Sequence, residues 1–269
     1  MTGRKNGAAE RLALDTSRPN IARVYDYWLG GKDNFEADRI EAERLLQIYP
    51  DLRRLAQENR MFVRRAVHWL ATACGIRQFL DVGSGLPTAS NTHDAAQAVA
   101  PDSKVAYVDK DPMVVLHADA LLADGDDVIA VRGDAADPAA ILADARVSSL
   151  FHPDRPYAVI LAAVLHFFPL DAARRIITEF ADLAVPGSYL IISVGSSGSR
   201  LAREYTAGTL HDHSPDEIRT LLAGLDIIDP PGLVEALHWA PGIPAPAPKR
   251  RGWPGGKIYS AVARMPGRA

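Results

Sequence analysis

FLDVGSGLPTAS, residues 79–90, is an apolar run that ends on an acid and then turns through Gly83, Ser84 and Gly85. Glycines there let the backbone turn sharply and approach a ligand closely. The apolar run reads as a short strand, and four more follow it: KVAYVD, DVIAVRGD, PYAVILAAV and GSYLIISVG. Strands that are apolar throughout, separated by helix-length segments, indicate βαβ units around a parallel sheet buried on both faces. In SPDEIRTLLAGL, Ser214, Pro215 at the first helical position and Glu217 three residues after the serine form a capping box. IIDPPGLVEALHW and KIYSAVARM then read as two strands joined by a Pro-rich, basic loop, an antiparallel edge whose KRR at 249–251 is expected to be solvated.

The region before Gly75 has a different texture. Residues 1–15 are polar and small, as in a loose tail. An extended entry at Arg18-Pro19 leads into IARVYDYWL, a break at Gly30-Gly31, then FEADRIEAERLLQIY, which Pro50 stops. Residues 51–74 keep helical spacing, with Leu55, Phe62, Val63, Val67 and Leu70 on one face. The chain thus divides into a tail (1–15), a helical segment (16–74) and an α/β core (75–269).

With 269 residues, 48% hydrophobic and 23% charged, the chain is large enough for a substantial core. A net charge of -3 without a long run of one sign gives no support to a nucleic-acid surface. Cys74 is the only cysteine, which excludes an intrachain disulfide and a Cys-based metal site. The first 15 residues lack the apolar block of a signal peptide, and VILAAVLHFF at 159–168 is too short to span a bilayer, so a cytoplasmic protein without a membrane partner is expected.

The chemistry falls at the strand ends, where open parallel sheets bind ligands. Asp109 closes the second strand, where a carboxylate accepts both hydroxyls of a ribose, and Asp134 follows the third, within reach of an adenine amino group. A dinucleotide site wants a third glycine, but Thr88 stands there, and Asp81 would repel a pyrophosphate. An acid at that position suits a cation carrying an ammonium and a sulfonium, such as S-adenosylmethionine (SAM).

D-x-G-x-G at Asp81–Gly85, the acid at Asp109 and G-D-A at Gly133–Ala135 resemble the class I SAM-dependent methyltransferases. RPNIARVYDYWLGGKDNFEADR, LDVGSGLPTASNTH, YVDKDPMVV, AAVLHFFP and the HSPDEI helix are similar, more specifically, to an actinobacterial SAM-methyltransferase family long held as a domain of unknown function. The resemblance spans about residues 15–265. It implies a Rossmann-like, mostly parallel seven-stranded sheet with an antiparallel edge hairpin, SAM over Gly83, Ser84 and Gly85, and an N-terminal helical cap folding over the cofactor. With Asp81, Asp109 and Asp134, the residues Lys110, Ala135 and Ala162 are then expected to line the cofactor site.

In YDYWLGGKDNF, residues 25–35, Tyr25, Tyr27, Trp28 and Phe35 would cover the cofactor, and Gly30-Gly31 would let the lid move. Tyr25, Gly30, Lys32 and Asn34 are the expected contacts, and Arg60 is a candidate to clamp the methionine carboxylate. Against this stands a simpler reading, a packed helix ended by a glycine cap. His166, just past the fourth strand, is the candidate general base, competing with a role as a histidine hydrogen-bonded to backbone beneath the cofactor. His93, His211 and His213 are further candidates, and no metal is expected. Met113 reads as cofactor contact or core filler, and 199–213, with Tyr205, as the roof of the acceptor pocket. The expected activity is methyl transfer to an unidentified small molecule, and the alternative is a SAM-binding regulatory protein without turnover.

Overall fold

The computed structural model describes residues 15–88, 91–122, 126–196, 199–246 and 256–267; residues 1–14 of the expected tail and the KRR loop lie outside them. Three helices come first: α1 (Ile21–Leu29), α2 (Glu36–Ile48) and α3 (Leu52–Ala73). The sheet strands are β1 (Gln78–Val82), β2 (Lys104–Asp109), β3 (Val128–Arg132), β4 (Ala158–Ala162), β5 (Tyr189–Ser196), β6 (Asp226–Ile227), β7 (Val234–Glu235) and β8 (Lys257–Arg264). Between them run α4 (Thr92–Gln97), α5 (Pro112–Leu121), α6 (Pro138–Ala143), α7 (Ala145–Leu150), α8 (Leu170–Leu183), α9 (Ser199–Glu204) and α10 (Pro215–Leu221).

The strand order is β3-β2-β1-β4-β5-β8-β6, with β7 pairing β8 beside this path. The first five strands pair in parallel, and β8 lies antiparallel to β5 in register Tyr189↔Arg264 through Ser196↔Lys257. The order reverses between β1 and β4, so the loops after those strands flank the expected ligand crevice. Both faces are covered: Leu80, Val159, Leu161, Ile177 and Phe180 pack on one side, and Phe62, Val67, Phe79, Ile160 and Trp239 on the other.

The sheet has eight strands rather than seven. The segment read as one strand over 227–239 carries Pro230 and Pro231, which have no N–H to give a ladder, and it splits into β6 and β7, each two residues long. The capping box is as read: Ser214 Oγ accepts the N–H of Glu217 at 3.3 Å, and Glu217 accepts the N–H of Ser214 at 2.8 Å.

Helices α1 and α2 pack on the start of α3 and on α9 in a separate apolar cluster of Val24, Trp28, Leu45, Leu52, Leu201 and Tyr205. Most of α3 belongs to the sheet layer, through Phe62, Ala66, Val67 and Leu70. A buried ion pair pins the cap: Asp38 accepts from Arg23 Nε at 2.7 Å and from the N–H groups of Asn20 and Phe35 at 2.9 and 2.8 Å, with the two side chains 3% and 0% exposed. No described helix is long and apolar enough to cross a membrane.

Candidate functional site

A cavity of about 680 Å³ lies between the strand ends and the cap. Of the expected site residues it gathers Tyr25, Arg60, Asp81, Gly83, Ser84, Gly85, Asp109, Lys110, Asp134, Ala135, Ala162 and His166.

The glycine loop after β1 is built by local necessity. Gly83 and Gly85 adopt φ of 69° and 66°, in the left-handed region. A Cβ on Gly83 would lie 2.5 Å from Val164 Cγ2, so the loop packs tightly against the turn after β4. The N–H groups of Gly83 and Ser84 donate to Val108 O at 2.7 and 3.2 Å, and that of Gly85 donates to Asp109 Oδ2 at 3.0 Å.

Asp109 also accepts the N–H of Asp111 at 2.9 Å, so the carboxylate is held by two backbone donors and keeps lone pairs to spare. Burial pushes its carboxyl above the usual carboxylate range, against those two hydrogen bonds. Asp81 behaves alike: it is 4% exposed, burial raises its pKa, and the Thr92 hydroxyl at 2.6 Å and the Arg60 charge oppose the rise. At this end the wall carries the carboxylates of Asp81, Asp109, Asp111 and Asp134 against the cations of Lys110 and Arg60. Asp134 is exposed and binds the N–H of Ala136 through Oδ1 at 2.9 Å.

Arg60 donates from Nη2 to Ser84 O at 3.1 Å, and its guanidinium sits 5.7 Å from the Tyr25 ring centroid. Its Nε is buried without a hydrogen-bond partner. An orphaned guanidinium N–H at a cavity wall fits a ligand carboxylate. The glycine turn, the surplus of carboxylates and this donor together fit SAM, which is cationic at sulfur and nitrogen and anionic at its carboxylate.

Gly30, Lys32 and Asn34 are not on the cavity wall. Gly30 ends α1 at φ 82°, the glycine cap of the simpler reading. Lys32 is exposed. Asn34 Nδ2 donates to Asp26 Oδ2 at 2.8 Å and to Gly31 O at 3.0 Å. Asp26, buried, also accepts the N–H of Asp33 at 3.0 Å, so the polar groups of this turn serve one another. Of the four aromatics, Tyr25 and Trp28 line the cavity. Tyr27 instead bonds Glu43 at 2.5 Å, and Phe35 packs under the Arg23 guanidinium.

His166 lines the cavity, and its Nδ1 accepts the N–H of Gly195 at 3.2 Å. Burial, with His213 nearby, lowers its pKa to about 4. The ring is therefore neutral near pH 7, and with Nδ1 accepting, its proton sits on Nε2. That tautomer donates from Nε2 rather than removing a proton, which is the geometry of the backbone-bonded reading. His93 Nδ1 pairs with the Tyr107 hydroxyl at 2.8 Å, and His213 Nε2 with Phe168 O at 3.0 Å. His211 and Tyr205 lie on the wall, and Met113 is core filler with Leu86 and Val114. Among the described residues no group of three or more potential metal ligands occurs.

Several wall features gave no sequence signal. Asn20, which caps α1 by accepting from Ala22 and Arg23, donates its Nδ2 to Asp111 Oδ2 at 2.7 Å and ties the cap to the start of α5 across 91 positions. Ala163, at φ 58°, is the described non-glycine residue with positive φ, a conformation that costs roughly 1–3 kcal/mol and clusters at functional sites. It sits immediately after β4, on the cavity wall.

Comparison with known proteins gives the family and the fold. A candidate methyltransferase of known structure from Thermobifida fusca YX is 37% identical, with a TM-score of 0.86 over 97% of this chain and 100% of its own. A DUF574 family protein from Streptomyces avermitilis MA-4680 is 34% identical, with a TM-score of 0.80 over 94% and 99%. The N-methyltransferase NodS from Bradyrhizobium japonicum WM9, solved with S-adenosylhomocysteine (SAH), shares the fold at 13% identity and a TM-score of 0.51 over 91% and 99%. No curated protein matches the chain. The model of the S-adenosyl methyltransferase family matches residues 7–266, so the chain belongs to that family, whose methyl donor is S-adenosylmethionine.

Proposed function

We propose that this chain transfers a methyl group from SAM to a small, largely apolar acceptor held between the strand ends and the cap. The observation that carries the reading is the single cavity that joins both halves. One end is walled by Asp81, the glycine loop and Asp109, the other by Trp28, Leu52, Phe167, Leu201, Tyr205 and Leu210. At about 680 Å³ its volume lies within the range of single small-ligand sites, yet it has to hold donor and acceptor together, which favours a compact acceptor.

The roles follow from the chemistry of each group. Asp109 accepts the ribose hydroxyls, Asp134 the adenine amino group, and Arg60 binds the carboxylate; Asp81 favours the cationic end. Helices α1 and α2 with the start of α3 act as the cap, with Tyr25 and Trp28 excluding water. Bound SAM supplies a methyl group on a sulfonium that leaves as a neutral thioether, so alignment and dryness are the main demands on the protein. His166, with its proton on Nε2, serves as a donor that orients the acceptor, and an acceptor whose nucleophilic atom carries no proton that a base must first remove matches that environment.

The test is SAH formation across a panel of phenols, amines, thiols and carboxylic acids, with product mass confirming a gain of one methyl. Turnover confined to compact, uncharged acceptors supports the reading. Tight SAM binding with no methyl loss on any acceptor would favour a binding protein without turnover.

A further inference from the structure

A chain of hydrogen bonds runs from the cap to the strained turn after β4, and Tyr25, Asn59 and Ala163 along it line the cavity. The Ala163 N–H is shared between Ser193 O at 3.0 Å and Ser193 Oγ at 2.9 Å. Ser193 Oγ–H donates to Asn59 Oδ1 at 2.5 Å, and Asn59 Nδ2 donates to the Tyr25 hydroxyl at 2.9 Å. Tyr25 in turn donates to Ala56 O at 3.2 Å. Ser193 and Asn59 are 0% and 2% exposed. The links are consecutive, so removing the Ser193 hydroxyl takes the donor from Asn59 Oδ1 and removing the Tyr25 hydroxyl takes the acceptor from Asn59 Nδ2.

The two ends of the series are cavity walls. At one end Tyr25, with Arg60 stacked on its ring, belongs to the lid. At the other, Ala163 keeps a left-handed backbone that sends Val164 against Gly83 and leads into His166. Asn59 lies between, one residue before Arg60.

We propose that Asn59 and Ser193 are positioning residues that couple the cap to the Ala162–His166 wall, so that Tyr25 and the Ala163 peptide settle together around the cofactor. The inference rests on the cofactor reading above for its consequence, though the coupling itself belongs to the protein alone. Tyr25→Phe and Ser193→Ala remove hydroxyls that meet at the Asn59 amide, which makes them a sensitive pair for a double-mutant cycle.

Two readouts decide the matter. In SAH titrations, each single variant is expected to bind about fivefold more weakly, and the double variant no more weakly than about tenfold, well short of the product of the two. In hydrogen exchange of the ligand-free protein, Tyr25→Phe is expected to speed exchange at the Ala163 amide, three links away, and Ser193→Thr to restore Ser193→Ala toward wild type. Multiplicative losses in SAH affinity, or an unchanged Ala163 amide in a folded Tyr25→Phe variant, would overturn the coupling. If wild type failed to bind SAH, the cofactor reading would fall, while the exchange experiment would still judge the coupling. Asn59→Ala is not needed for either arm, so its failure to fold would leave both intact.

Discussion

Two glycine pairs face opposite fates in this molecule. Gly83 and Gly85, after β1, form a turn at the mouth of the cavity, braced by Val164 on one side and Arg60 on the other. Gly30 and Gly31, after α1, form a turn off the cavity wall, where a Cβ on Gly31 would lie 1.8 Å from Asp26 Oδ1. Both pairs read in the sequence as flexible places near a ligand. Each pair has one Cβ position that is taken, Gly83's by Val164 and Gly31's by Asp26; the difference is that Gly83 and Gly85 line the cavity and Gly30 and Gly31 do not. Asp26 is consumed by the N–H and amide groups of its own turn, whereas the Gly83–Gly85 loop is held by Asp109 from the next strand, whose carboxylate also lines the cavity.

Perturbing the cap's ion pair gives the largest expected effect. Asp38→Ala leaves Arg23 buried and unpaired, and unfolding experiments should show a loss of about 3–5 kcal/mol. Gly31→Ala forces Asp26 from its place and is expected to cost about 1–3 kcal/mol of stability, with SAH affinity falling only as far as the cap loosens. Gly83→Ala meets Val164 and an unfavourable φ; its stability loss is similar, but SAH binding should fall at least tenfold, which separates the two turns by ratio rather than by size.

The strand-end acids supply a pH test. Burial raises the folded-state pKa of Asp81 and Asp109 above that of the unfolded chain, so the ligand-free protein binds extra protons between those values and loses stability as pH rises through that window. A cationic ligand needs the ionised acids. SAM affinity should therefore weaken as pH falls from neutral through the raised pKa values, with proton release on binding visible as a buffer-dependent calorimetric enthalpy. At the small end, Lys32→Ala should leave SAH affinity within about twofold of wild type, since Lys32 is exposed and off the cavity wall.

The sheet was legible because its signals are local: apolar strands, acids at their ends and glycines where backbone turns. Asp81, Asp109, Asp134 and the Gly83–Gly85 loop converge because the strand order reverses beside β1. The cap was legible in outline only. Helical spacing located α1 and α2, but which polar side chains face the cavity depends on partners far away in sequence, such as Asp111 for Asn20 and Ser193 for Asn59. Adjacency to the glycines suggests ligand contacts for Lys32 and Asn34, but Asn34 bonds Asp26 and Gly31 within the turn, and Lys32 is exposed off the cavity wall. The edge of the sheet was misjudged by one strand because two prolines divide what hydrophobicity alone joins.

The central claim is that Asp109 and the glycine loop hold the adenosyl end of SAM. Calorimetric titration of wild type and Asp109→Ala with SAM, SAH and NAD tests it most directly. One-to-one binding of SAM and SAH, no binding of NAD, and a loss of at least tenfold in the variant are the expected results. Binding that is indifferent to Asp109→Ala, or a preference for NAD, would contradict the account.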